Sequence, residues 1–241
     1  VFWTQGRVLS GVFSTTMLRR DFLSHSTAAL TLAALHPLRA APAVAGTPPA
    51  DFMARFPVCT EFAGKVPIAR IATGRVIHRF FDTSPISPSG RYVGLFRLPN
   101  EVRTPQPGEA GEVVVVDLHT GQERVVAQSR GWETQMGANV QWGATDADLL
   151  LNDVDPATWT PFAVQLDPAT GKTRRLGGTV FTVSPDGKLL TSYNLIASRL
   201  IQVGYGVVLP EERTRRNLGP VTDDGLFVTD IANGKTTMIA S

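Results

Sequence analysis

Three stretches of this chain share one layout: "VVVVDLHTGQERVVA" (113–127), "FAVQLDPATGKTRRLG" (162–177) and "LFVTDIANGKTTMIA" (226–240). Each runs a β-branched or apolar strand into Asp-x-x-Thr/Asn-Gly and leaves through a second strand of alternating polar and basic residues. The aspartates are Asp117, Asp167 and Asp230, and the glycines Gly121, Gly171 and Gly234 follow four residues later. An aspartate at the first turn position bonds the backbone ahead of it, and glycine supplies positive φ. Between alternating runs, that turn predicts a β-hairpin.

A second hairpin precedes each of these. "ISPSGRYVGLF" (86–96) and "VSPDGKLLTSY" (183–193) read as strand, Ser-Pro-x-Gly turn, strand, and "VQWGATDADLLLN" (140–152) takes that place in the middle unit. Each unit therefore has four short strands. The aspartates stand 50 and then 63 residues apart, and four strands per roughly 40–50 residues is the pattern of a propeller blade. The expected fold is all-β: a β-propeller of four-stranded antiparallel blades at 78–128, 129–177 and 178–241, the last carrying an insertion. The competing architecture is a β-sandwich built from the same hairpins.

Ser87-Pro88-x-Gly90 and Ser184-Pro185-Asp186-Gly187, each followed by the Asp-x-x-Thr/Asn-Gly hairpin, resemble the TolB-type, WD40-like repeat of exported bacterial proteins. The resemblance runs from about residue 79 to 241 and implies a fold, with little about activity, because this architecture hosts many functions. Propellers typically have four to eight blades. Three units are thus expected to be part of a longer protein, or to need remaining blades or self-association to cover open sheet edges.

Ahead of the repeats lies "MLRRDFLSHSTAALTLAALHPLRAAPA" (17–43), almost free of acidic side chains. Arg19 and Arg20 form a charged start, the apolar run at 26–38 is shorter than the roughly 20 residues a membrane span needs, and small residues at 41–45 suit a signal peptidase. Arg19-Arg20-Asp21-Phe22-Leu23 resembles the twin-arginine export signal, which implies a periplasmic or extracellular protein. On this reading residues 1–16 are upstream sequence, 17–45 a signal peptide and 46–77 a linker and lead-in segment rich in proline. A formal charge of +2 gives no pull toward nucleic acid, and the lone Cys59 excludes an intrachain disulfide.

The two turns of each unit lie on one face, so irregular connections gather on the other, where loops on a rigid scaffold carry function. In "VIHRFFDTSP" (76–85), His78, Arg79 and Asp82 read either as a site that binds an acidic ligand and moves a proton or as part of a blade-closing strand. In "WETQMGANVQW" (132–142), Trp132 offers a flat face and Gln135 and Asn139 offer amides, the combination that binds sugars; the alternative is loop packing. In "YNLIASRLIQVGYG" (193–206), Tyr193, Arg199 and Tyr205 would face a ligand from a short helix, or the segment would simply cover a hydrophobic edge. No cofactor is evident, and no His/Cys cluster has metal-ligand spacing.

The leading expectation is an exported propeller that recognises an oligosaccharide or an envelope protein through its irregular face. The alternative is an enzyme: the repeats are loosely similar to oligogalacturonate-lyase-type propellers. That resemblance implies β-elimination on a uronate, with His78 as base and Arg79 neutralising the carboxylate, although the family's metal-binding histidine cluster has no counterpart here. A third possibility is an envelope scaffold.

Overall fold

In the computed structural model, which describes residues 52–59, 61, 68–100, 102–214, 219–220 and 222–241, each turn aspartate organises its own corner. Asp117 Oδ1 accepts from the N–H groups of His119 (2.8 Å) and Thr120 (3.3 Å), and Asp167 and Asp230 repeat the pattern two and three residues ahead. The N–H of Gly121, Gly171 or Gly234 returns to the aspartate carbonyl at 2.8 Å. All three glycines have φ of 74°, a conformation open to glycine at no steric cost. The Ser-Pro-x-Gly turns close alike, with Gly90 and Gly187 donating to Ser87 and Ser184 carbonyls at 2.8 Å.

These corners join three four-stranded antiparallel meanders. The first sheet holds β1 (Val76–Ile77), β2 (Tyr92–Arg97), β3 (Gly111–Asp117) and β4 (Glu123–Ser129); the second β5 (Gln141–Trp142), β6 (Leu149–Asp155), β7 (Thr160–Leu166) and β8 (Thr173–Arg175); the third β9 (Thr182–Val183), β10 (Leu189–Ser192), β11 (Leu226–Asp230) and β12 (Thr236–Ala240). The fold is three blades of a β-propeller. Among the described residues no helix is long and apolar enough to cross a membrane. The readings of 1–16 and 17–45 fall outside the described residues.

The apolar runs belong to strands buried on both faces, where periodicity of two sends neighbours to opposite sides. Val113 and Val115 join Phe96, Trp142, Leu149 and Leu151 between blades one and two, whereas Val114 and Val116 pack with Phe56 and Ala72 of the lead-in segment. Leu150 turns the other way, to Leu190 and Ile231 of blade three.

Polar contacts pin the blades together. Trp142 donates its indole N–H to the Pro85 carbonyl at 2.9 Å. Asn152, fully buried, bonds both backbone groups of Val180, donating to its carbonyl at 2.8 Å and accepting from its N–H at 2.7 Å. At the outer edge an arginine reaches the carbonyl just after each turn aspartate: Arg55 that of Leu118 (3.2 Å), Arg124 that of Pro168, and Arg174 that of Ile231.

Two irregularities shape the opposite rim. Val76 and Ile77 pair with Arg97 and Phe96. Continued pairing would set Phe80 opposite Val93, but Ile86 stands there instead, so six residues loop out of the innermost strand of blade one. Between β10 and β11 the chain makes a long excursion containing one turn of helix, α1 (Ser198–Ile201). Its Leu195, Val207 and Leu209 pack on Val154 of blade two.

Asn152→Ala leaves both Val180 backbone groups without partners at a buried seam. We expect a loss of about 2–3 kcal/mol in urea denaturation, with strand content by circular dichroism retained.

Candidate functional site

The innermost strand of each blade begins near one place on the irregular rim. The looped-out segment of blade one brings Arg79, the lead-in to β5 brings Glu133 and Asn139, β5 itself Gln141, and the lead-in to β9 brings Phe181. The guanidinium of Arg79 lies 4.4 Å from the centroid of the Phe181 ring, and the Gln141 amide donates to the Phe181 carbonyl at 2.9 Å. Tyr193 packs on Phe181 with centroids 4.8 Å apart, and Tyr205 leans on Phe80 at 6.0 Å. Groups from three blades and the excursion thus converge on one cluster of side chains, the rim chamber.

Its chemistry centres on a buried cation. The Arg79 side chain is 0% exposed. Nη2 donates to Asp82 Oδ2 at 3.1 Å, and the Phe181 face adds a cation–π contact. Nε and Nη1 have no hydrogen-bond partner among the described residues; nor do Nδ1 of His78 and Oδ1 of Asn139. Burying a guanidinium with unused donors is costly, and burial draws its pKa below the ordinary arginine value, against the pull of Asp82.

Within electrostatic reach of it is Glu133, 2% exposed. A closed loop holds its backbone, Glu133 and Gly137 exchanging two hydrogen bonds of 2.9 Å. The carboxylate accepts from the Asn139 amide at 3.2 Å and from the N–H of Gly206. Gly206 sits at φ 77°, and a Cβ there would lie 2.5 Å from the backbone nitrogen of Arg199, so only glycine turns this N–H onto the carboxylate without strain. Burial pushes the Glu133 carboxyl up to about 7, while the Gly206 and Asn139 donors and the Arg79 charge act in the opposite direction. Burial, followed by the neighbouring Glu133 charge, raises Tyr193 well above the ordinary phenol range, so it stays a neutral hydrogen-bonding group.

Of the residues singled out in the sequence, Arg79, Asp82, Asn139, Tyr193 and Tyr205 meet at this chamber, while His78 precedes Arg79 in the chain with its Nδ1 buried. Trp132 does not present a stacking face: it is 3% exposed, gives its indole N–H to the Glu109 carbonyl at 2.6 Å and packs on Phe96. Gln135 is exposed, and its backbone N–H donates to the Gly204 carbonyl at 3.1 Å. Arg199 lines a shallow cavity of about 380 Å³ with Pro105, Thr134, Gly204, Tyr205 and Gly206, on the outer side of the turn that carries Tyr205. Glu133 and Phe181 were not singled out. The available signal was slight: Glu133 is the one carboxylate in the 132–142 stretch. Groups of three or more His, Cys, Asp or Glu able to hold a metal ion are absent among the described residues.

No family model matches the sequence, and no curated protein matches it. Among solved structures the chain is similar to TolB from Acinetobacter baumannii, at 14% identity over 73% of this chain and 35% of that one, with a TM-score of 0.41. It is also similar to an oligogalacturonate lyase in complex with manganese, at 13% identity over 64% of this chain and 51% of the lyase, with a TM-score of 0.29. The chain therefore spans about a third of the first protein and half of the second. The assignment of three propeller blades rests on the sheets themselves.

Glu133 provides a test of the chamber's electrostatics. Its folded-state value of about 7 lies above the ordinary 4.5, so its favourable contribution is present below pH 4.5 and disappears as pH rises through 7. Relative to Glu133→Gln, wild-type stability should fall by about 2–3 kcal/mol between pH 4.5 and 7.5, read from denaturation midpoints. Parallel curves for the two proteins would show that this carboxyl is not perturbed.

Proposed function

We propose that this chain is the ligand-recognising part of an exported β-propeller, and that it reads the acidic group of a glycan or protein ligand at the inner rim. The observation that supports the reading is Arg79: a fully enclosed guanidinium with two donors unspent, opposite neutral hydrogen-bonding groups on Asn139 and Tyr193. A planar fork with free donors matches a carboxylate bidentately. The surrounding Phe181, Tyr193, Phe80 and Tyr205 rings supply the apolar walls of a binding site. Export is inferred from the arginine-led segment at 17–45.

A second reading, catalysis by β-elimination, draws on one specific feature. Glu133, poised near neutrality, lies within electrostatic reach of Arg79, groups so perturbed concentrate at catalytic sites, and His78, next to Arg79 in the chain, has a buried Nδ1 without a partner among the described residues.

Calorimetry with a panel of acidic and neutral oligosaccharides separates these readings. Acidic members should bind, and Arg79→Met should weaken them about 10–100-fold, the worth of a charged hydrogen bond, with circular dichroism unchanged. Equal binding of acidic and neutral members, or an Arg79→Met protein that binds as well as wild type, would defeat the recognition reading. An increase in ultraviolet absorbance on polyuronate, lost in His78→Ala, would establish the enzymatic one.

A further inference from the structure

We propose that the chamber takes up a carboxylate together with one proton, Arg79 holding the anion, Glu133 the proton, and the Gly204–Gly206 loop serving as the gate. This rests on the recognition reading above and specifies how that site is regulated.

The geometry carries the argument. Arg79 has unspent donors and no solvent exposure, so a ligand reaches it only if a wall moves. The wall formed by the excursion is packed from behind by Leu195, Val207 and Leu209, so any opening is confined to the Gly204–Gly206 turn and its contacts toward blades one and two. Gly206 N–H donates to the Glu133 carboxylate, Gln135 N–H and Thr134 Oγ1 donate to the Gly204 carbonyl at 3.1 Å, and Tyr205 leans on Phe80. The charged contact is the one from Gly206 to Glu133. Gly204 and Gly206 have φ of 91° and 77°, so the loop has a glycine on either side of Tyr205 where backbone rotation is least hindered.

Protonation acts on gate and anion in one direction. A protonated Glu133 is a weaker acceptor, because charge-assisted hydrogen bonds are about twice as strong as neutral ones; the hold on Gly206 loosens. The same proton removes a negative charge that competes for Arg79. With Glu133 ionised, an incoming carboxylate would meet Asp82 on Nη2 and a second negative charge within electrostatic reach of the guanidinium. With it neutral, only Asp82 competes, from a side chain that is 45% exposed. The other charged or titratable groups nearby are His78, next to Arg79 in the blade-one loop, and Tyr193, Tyr205 and Arg199 on the excursion, Arg199 packing directly against Gly206. Tyr193 stays neutral throughout. His78→Ala therefore accompanies Glu133→Gln in the test, so that the two residues are separated.

Glucuronate serves as the probe and glucose as its uncharged control, titrated into the full chain by calorimetry from pH 5.5 to 8.5. Each titration is run in two buffers of different ionisation enthalpy. Affinity for glucuronate should be level at the acid end and fall up to about tenfold per pH unit above the Glu133 midpoint, with uptake of about one proton per ligand at pH 7.5 and above. Glu133→Gln should flatten the profile and abolish proton uptake. A level wild-type profile, or a slope that survives in Glu133→Gln and is removed by His78→Ala, overturns the proton linkage while leaving Arg79 recognition intact. Glucuronate binding no better than glucose, or unaffected by Arg79→Met, overturns the recognition reading and this inference with it.

Discussion

An arginine grips the carbonyl that follows each turn aspartate, and the rest of the arrangement depends on that grip. The aspartate folds the corner so that the carbonyls of Leu118, Pro168 and Ile231 point outward. Arg55, Arg124 and Arg174 then reach them from the preceding element. One such bond contributes on the order of 1–3 kcal/mol. Repetition matters more than strength: three equivalent bonds at one edge, together with Trp142 and Asn152 nearer the rim, fix how each sheet is set against the next. Apolar packing alone is non-directional and would leave that setting loose.

The chamber follows from this setting. No single blade contains a site. Arg79 belongs to the first sheet's inner loop, Glu133 and Asn139 to the second, Phe181 and Tyr193 to the third, and Gly206 to an excursion that returns over the second. The setting of the sheets decides where a guanidinium, a carboxyl and a phenol come together. The unspent donors on Arg79 reflect the same constraint: the backbone that satisfies the sheets leaves little freedom to satisfy that side chain.

Much of the fold was legible because it is written locally. An aspartate bonds N–H groups two and three residues away and a glycine closes the loop one residue later, so the hairpins need no information from elsewhere. The runs at 113–116 and 149–151 showed strands, and their burial on both faces follows from stacking the sheets. The rim was legible only in part. His78, Arg79 and Asp82 lie within five residues and suggest a site on their own. Glu133 acquires its character from Gly206, 73 residues later, and nothing near it in the chain announces that partner. Trp132 shows the same limit in reverse. An aromatic in an irregular loop reads alike whether it faces a sugar or packs inside, and here Phe96 and the Glu109 carbonyl decide.

The Asp-x-x-x-Gly corners have one further consequence. Their bonds run through the aspartate side chain, the glycine and the backbone, so the second residue after each aspartate, His119, Ala169 or Ala232, contributes backbone groups alone and leaves its side chain in solvent. These three positions repeat once per sheet, on the face opposite the chamber. A dye, spin label or surface linker attached there would report on or immobilise the molecule without touching the groups that hold it together.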